Sequence, residues 1–262
     1  MGNVRTQTAD HILTVTLDNA PVNALTGAMM RELTEVFADV ESSWDTRVVL
    51  LDAVPGRAFC GGVDLSDSAK RLHAEGADIA PTDRLDSGRV VRDLFQSVLD
   101  CPVPVVAAVG GAAVGAGLAL LACTDIIIAS DKARFALPEI NAGVLGGGRH
   151  VQRLVGAFKA RSMFFTGNFV PAADFLRLGA IEEVVAPDDL AERAAAWATQ
   201  LAGKSPIGLR LAKESLSRVE HLPLIEAYRI EQDYTMRMTR YEDAAEARNA
   251  FLEKRDPDWK LR

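Results

Sequence analysis

Cysteine is scarce in this chain, and what there is cannot form a framework. Three stand far apart at 60, 101 and 123, with no CxxC pair. An odd, scattered set excludes a disulfide-stapled module or a zinc ribbon and points to buried thiols in a reducing compartment. Histidine is as sparse. His11, His73, His150 and His221 are isolated and no HExxH occurs, so no local metal site is written into the sequence. Positive charge is in deficit: Lys and Arg number 29 against 36 Asp and Glu, a net charge of −7. A chain of that sign with no basic run repels phosphate backbones, which argues against a nucleic-acid partner. Also missing are the GxSxG elbow of a hydrolase nucleophile and the GxxxxGK phosphate loop. No unbroken apolar run reaches the ~20 residues that a bilayer requires; the longest apolar stretch, 103–123, is interrupted by glycine and proline. Met1 to Asp10 is polar and has no signal-peptide core. The expectation is a cytoplasmic protein that does not span a membrane.

What is present is ordinary globular material. Of 262 residues, 48% are hydrophobic and 25% charged, and a chain of this length buries about three quarters of its unfolded surface. A full core therefore needs neither disulfides nor metals. Ile12–Leu17 alternates as a strand with one buried face. Residues 26–41 carry Met29, Leu33, Val36 and Phe37 at helical spacing. Val48–Leu51, Val105–Val109 and Ile126–Ile128 are continuous apolar runs, as expected of strands covered on both faces. Residues 115–123 read as a buried helix, and strands alternating with helices give an α/β fold. Pro171 to Gly179 and Pro187 to Gly203 bracket two helices, and from Pro206 to Lys254 the pattern is helical. A sheet-containing core over 1–200 and a helical portion over 201–262 follow. Residues 66–88 are polar and weakly periodic, the composition of a mobile loop or loose helix.

Two segments share a design. Arg57-Ala-Phe-Cys-Gly-Gly-Val-Asp-Leu65 and Gly110-Gly-Ala-Ala-Val-Gly-Ala-Gly-Leu118 each follow an apolar strand and place glycines just before a helix. Glycine lets the backbone turn sharply and leaves its N–H groups uncovered, and a helix start adds free donors and a positive dipole end. Two such turns meeting would form a hole for a developing oxyanion. The same glycines also serve as ordinary tight turns between strands and close-packed helices. Gly115-Ala-Gly117, with Glu139 some twenty residues on, leaves open a dinucleotide-binding reading, although Leu120 stands where a small residue belongs and the unit begins far into the chain.

Several motifs in order carry a resemblance. Pro21-Val-Asn-Ala-Leu25, Ala58-Phe-Cys-Gly-Gly-Val-Asp-Leu65, Val109 to Cys123 with Thr124-Asp-Ile-Ile-Ile128, Phe135-Ala-Leu-Pro-Glu139 and Gly146 to Leu154 run through the chain, followed by Phe165-Thr-Gly167, Ala172 to Gly179 and Phe251-Leu-Glu-Lys-Arg255. Together they resemble the crotonase superfamily, the enoyl-CoA hydratase/isomerase family. The resemblance implies a crotonase-like spiral of ββα units whose C-terminal helices pack between subunits of a homotrimer or a dimer of trimers. It implies acyl-CoA thioesters as substrates, with no cofactor beyond the coenzyme A that the substrate carries. It gives the N–H groups of Val63 and Ala116 as oxyanion donors. It puts Val22, Ala24, Cys60, Gly62, Asp64, Leu65, Gly115 and Lys254 along the path of the CoA moiety, with Lys254 at a phosphate. Asp64 also reads as a helix cap.

Hydratases of the family usually carry two glutamates. Here the second falls at Ala119, and the first is kept as Glu139 in the Pro-Glu pair; a third acidic position, used by some relatives, is Gly147. One carboxylate can still remove a proton and return it elsewhere. That keeps an enoyl-CoA hydratase as the first expectation, with a Δ3-Δ2-enoyl-CoA isomerase and a non-catalytic acyl-CoA-binding protein as alternatives. Read without the motif, Glu139 is equally a surface carboxylate at the end of an element. Arg149 and His150 replace small residues usual at that helix start, where they would meet a polar acyl group, a water or solvent. Arg153 reads as structural and His73 as a loop histidine.

Overall fold

The computed structural model describes residues 4–67 and 85–261. His73 and most of 66–88 lie outside them. In chain order the strands among the described residues are Val4–Ala9 (β1), Ile12–Leu17 (β2), Val48–Ala53 (β3), Val105–Val109 (β4), Ala112–Val114 (β5), Ile126–Ser130 (β6), Arg134–Ala136 (β7), Val170–Pro171 (β8) and Glu183–Val185 (β9). The α-helices are Gly27–Asp39 (α1), Arg89–Leu99 (α2), Ala116–Leu121 (α3), Gly148–Thr166 (α4), Ala172–Arg177 (α5), Leu190–Ala202 (α6), Pro206–Val219 (α7), Leu224–Met238 (α8) and Glu242–Glu253 (α9). Six strands form one sheet in the order β1-β2-β3-β4-β6-β9, and β5-β7-β8 form a second. Only β1 runs antiparallel in the larger sheet; every later pairing there is parallel.

Successive side chains on a strand point to opposite faces, and the two faces of this sheet bury different partners. Val49, Leu51, Val105, Ala107 and Val109 face the main core, with Met29, Leu33 and Phe37 of α1 and Leu94 and Val98 of α2. Val48, Leu50, Val106, Ala108 and Ile128 face α6, which offers Ala194, Ala198 and Ala202 at four-residue spacing. Covering on both sides explains why β3 and β4 read as unbroken apolar runs. The strand β1 departs from the sequence expectation: its residues are half-buried or exposed, so it carries no apolar alternation and is held by its register with β2 from Val4↔Leu17 to Ala9↔Ile12. The helix α2 is likewise absent from the expectation, although Val90, Leu94, Phe95 and Val98 line its buried side.

After β9 the described chain is helical to Glu253, apart from short connections. A partly buried ion pair ties this portion back to the sheet. Lys213 of α7 reaches Asp125, whose Oδ2 also accepts from the Val105 amide at the start of β4 (2.8 Å). Both elements that contact Asp125 are thereby fixed at one edge of the core. No helix among the described residues is long and apolar enough to cross a membrane.

Candidate functional site

The two glycine turns meet because their strands are neighbours. Since β3 and β4 pair in parallel, with Val49 opposite Val105, the chain leaves both at the same edge of the sheet. In open parallel sheets that carboxyl edge is where ligand crevices form. The first turn then lies along the second. The Cys60 amide donates to Ala112 O (3.1 Å) and the Val114 amide to Cys60 O (2.9 Å). The early segment closes the other side: the Gly61 amide donates to Val22 O (2.8 Å), the Leu25 amide to Gly62 O (2.7 Å) and the Asp64 amide to Leu25 O (3.0 Å). Glycine is required here for space as much as for conformation. Gly62 has φ +95°, and a Cβ on it would stand 3.0 Å from Val114 O and 3.7 Å from Ala116 N. The amides of Val63 and Ala116 thus flank one small region, and neither finds a backbone acceptor among the described residues.

Glu139 is delivered to the same place by the smaller sheet. Strands β5 and β7 pair in parallel with Val114 opposite Ala136, and the Gly115 amide donates to Ala136 O (2.9 Å). Three residues on, Glu139 opens a short 3-10 turn over Glu139–Ala142. Its carboxyl lies over Gly115, where a Cβ would meet Oε1 at 2.8 Å. Oε2 is buried without a hydrogen-bond partner. Burial pushes this carboxyl above its ordinary value of 4.5, opposed by a hydrogen bond to its own backbone. A desolvated carboxyl with a free oxygen is poised to exchange a proton. The other two positions that carry acids in relatives hold Ala119 and Gly147 here. Ala119 is fully buried; a Cβ on Gly147 would touch Ala119 Cβ at 3.4 Å and stand 3.8 Å from Glu139 Oε1. The two acid positions that the sequence leaves empty therefore adjoin the one it keeps.

Other expected residues divide. Gly62, Gly115, Val63, Ala116, Val22 and Ala24 lie in or against the two turns, and Leu65 follows them, exposed. Asp64 caps, as expected: its Oδ1 accepts from the Ser66 amide (2.9 Å), the Ser66 hydroxyl (2.7 Å) and the Asp67 amide (3.1 Å). Cys60 packs between the turns. It is fully buried, its sulfur pressed against Gly117, and burial pushes its thiol up to about 12. Its side chain locks the turns together. The topology closes the dinucleotide reading: that unit runs from a sheet strand straight through its glycine turn into a helix, whereas here β5, a strand of the second sheet, stands between β4 and α3. Lys254 is the left-handed cap after α9, exposed, with no recorded contact to the turns.

One bracing residue was not anticipated. Asn23, left-handed at φ 53° and fully buried, donates to Ala58 O (2.8 Å) and accepts from the Asn19 amide (2.9 Å). It fastens residues 19–25 to the start of the first turn, and an Asn between apolar neighbours was its sequence signal. Arg153 is structural, as expected: it donates to Glu220 (2.8 Å) and to Ala122 O (2.5 Å). Among the described residues no three His, Cys, Asp or Glu side chains gather into a metal site.

Known proteins are similar to this chain over nearly its whole length. A family model described as enoyl-CoA hydratase/isomerase matches residues 7–262. A (7aS)-7a-methyl-1,5-dioxo-2,3,5,6,7,7a-hexahydro-1H-indene-carboxyl-CoA hydrolase of Mycobacterium tuberculosis is 37% identical over 93% of this chain and 95% of its own. A short-chain-enoyl-CoA hydratase of Clostridium acetobutylicum is 28% identical over 97% and 96%. The crystal structure of an enoyl-CoA hydratase from Mycobacterium smegmatis superposes with a TM-score of 0.89 at 31% identity, covering 99% of both chains.

Proposed function

Because the chain belongs to the enoyl-CoA hydratase/isomerase family and has its crotonase fold, we propose that it binds an acyl-CoA thioester carbonyl between the N–H groups of Val63 and Ala116 while Glu139 moves the proton. Two preorganised amides stabilise the oxygen as it takes on enolate charge, each worth about 2.7–4 kcal/mol of barrier. Glu139, with Oε2 free, gives or takes the proton at the α-carbon. The first reading is hydration of an α,β-unsaturated acyl-CoA, with Glu139 as the sole acid/base. Val22, Ala24 and Leu65 guide the CoA moiety, which is part of the substrate, so no separate cofactor enters. The supporting observation is the desolvated carboxyl of Glu139, with Oε2 unpartnered, beside two adjoining glycine turns. Residues 201–262 serve assembly into a trimer or a dimer of trimers, in which Lys254 meets a CoA phosphate. Leu224, Ile225, Phe251 and Leu252 are exposed there, and apolar surface of that kind is usually covered by a partner.

Hydrolysis of a cyclic ketoacyl-CoA is the second reading. It is favoured by the higher identity to the hydrolase than to the hydratase and by Ala119, since one carboxylate suffices to activate one water. Crotonyl-CoA, 3-hexenoyl-CoA and a cyclic ketoacyl-CoA, followed by mass spectrometry, separate the readings. Hydration of crotonyl-CoA supports the first, conversion of the cyclic ketone alone the second, and migration of the 3-hexenoyl double bond an isomerase. The Glu139→Gln variant should lose at least about 10²-fold in turnover and still bind acyl-CoA. Unchanged turnover refutes the role of Glu139, and tight binding without conversion of any thioester leaves an acyl-CoA carrier.

A further inference from the structure

A cavity of about 490 Å3 begins at Gly147 and carries chemistry that the proposed reaction does not use. Its lining includes Arg149, His150, Gln152, Arg161, Phe164 and Phe165. Gly147 belongs both to this cavity and to the surroundings of Glu139, whose Oε1 would lie 3.8 Å from a Cβ placed on it. The cations come from two arms of α4. Gly156, at φ 74° and ψ 169°, breaks that helix, and Arg149 precedes the break while Arg161 follows it. Neither guanidinium has a carboxylate partner among the described residues; Arg161 lies over the Phe165 ring at 5.5 Å. Arg153, in the same helix, shows the contrast, since it is bound to Glu220 and to the Ala122 carbonyl. In a chain of net charge −7, two unpaired arginines in one cavity are an excess of positive charge at one place.

Beside them stand rings. Phe164 and Phe165 give the cavity an apolar wall, and His150 packs edge-on against Phe95 with centroids 4.8 Å apart. Burial, with Arg149 and Arg153 nearby, holds His150 below its usual value, so near neutral pH it adds polarity and little charge. An apolar wall ending in forked donors suits a chain that is hydrocarbon along its length and anionic at its tip, because guanidinium groups pair with carboxylates through charge-assisted, often bidentate, hydrogen bonds.

We propose that the acyl groups taken by this site end in a carboxylate, which enters the cavity and pairs with Arg149 and Arg161. The proposal rests on the acyl-CoA reading above and names its substrate class: half-thioesters of dicarboxylic acids. Saturated thioesters test it without relying on turnover. Calorimetric titration of the full chain with adipoyl-CoA against hexanoyl-CoA, and suberoyl-CoA against octanoyl-CoA, gives an affinity ratio at each length. At the fitting length the dicarboxylic member should bind about tenfold tighter or more, the scale of a hydrogen bond to a charged group, and the ratio should shrink as salt is raised. Arg149→Gln and Arg161→Gln should each cut the ratio at least about threefold. The ratio is taken within each protein, so a partly unfolded variant does not distort it. A ratio near one at both lengths, or a preference that survives both substitutions, overturns the proposal while leaving acyl-CoA binding intact. Failure of all four thioesters to bind removes the acyl-CoA reading itself.

Discussion

Gly115→Ala isolates the contact on which the site's geometry depends. Gly115 has φ +55° and ψ −120°, a backbone region that L-residues seldom adopt, and forcing a side chain there costs about 1–3 kcal/mol. The alanine also narrows the unfolded ensemble, which offsets about 0.4–1 kcal/mol. A net loss of about 1–2 kcal/mol lowers Tm by about 2–8 °C in a chain of this size. The larger effect is on Glu139. The new Cβ would sit 2.8 Å from Oε1, so the carboxyl must retreat by roughly 0.6 Å to reach ordinary contact, and a misplacement of about 1 Å can cost 10²-fold in rate. The expected drop in kcat is about tenfold to a hundredfold, with acyl-CoA affinity held within about threefold. Gly56→Ala is the control. Gly56 has φ +80° and nothing within 4 Å of its missing Cβ, so it carries similar strain and touches no site residue. Its Tm should fall while kcat per folded molecule stays level. A Gly115→Ala enzyme with kcat close to that of the parent, or an equal loss in Gly56→Ala, would refute this reasoning.

Ala116→Pro removes a donor and puts the ring's Cδ where the N–H stood. Position 116 is the first residue of α3, where proline is well tolerated, so thermal melting should change little while kcat falls about 10²–10³-fold. Glu139→Gln should change stability in a pH-dependent way. Below about pH 4.5 the carboxyl is protonated in both folded and unfolded chains; above it the unfolded chain ionises more readily, because burial raises the folded value. The variant should therefore melt higher than the parent at neutral pH and alike in acid, and equal melting at every pH would contradict the raised value. Asn23→Ala strands Ala58 O and the Asn19 amide, at about 1–3 kcal/mol for each group left unpaired. Melting should fall and KM for the thioester should rise, since residues 19–25 brace the first turn.

Much of the frame is legible because it follows from burial. The strands β3 and β4 are apolar on both faces, and α1 shows its buried stripe and its Thr26 cap, which accepts from the Met29 amide (3.2 Å). The edge strand β1 is not legible: Val-Arg-Thr-Gln-Thr-Ala has no buried face to mark it. Helix α2 carries its buried side in Val90, Leu94 and Val98, but it follows a polar, weakly periodic stretch that blurs its start. At the site, the glycines signal turns, but their meeting depends on the long-range pairing of β3 with β4, which no local spacing encodes. Residue types also leave packing unstated. Cys60 stands in the motif and packs between Ala112, Val114 and Gly117. The pairing of Arg149 with Arg161 across one cavity depends on the break at Gly156, one glycine among many in the sequence.

Exchange of the α-protons of butyryl-CoA in heavy water, followed by proton NMR, reaches the enolate directly, whichever net reaction the enzyme performs. The parent chain should exchange them, and Glu139→Gln, binding the same thioester, should not. Butyryl-CoA bound to the parent with no exchange, or exchange at the same rate in the variant, would contradict a thioester enolate held by two backbone amides and served by one carboxyl group.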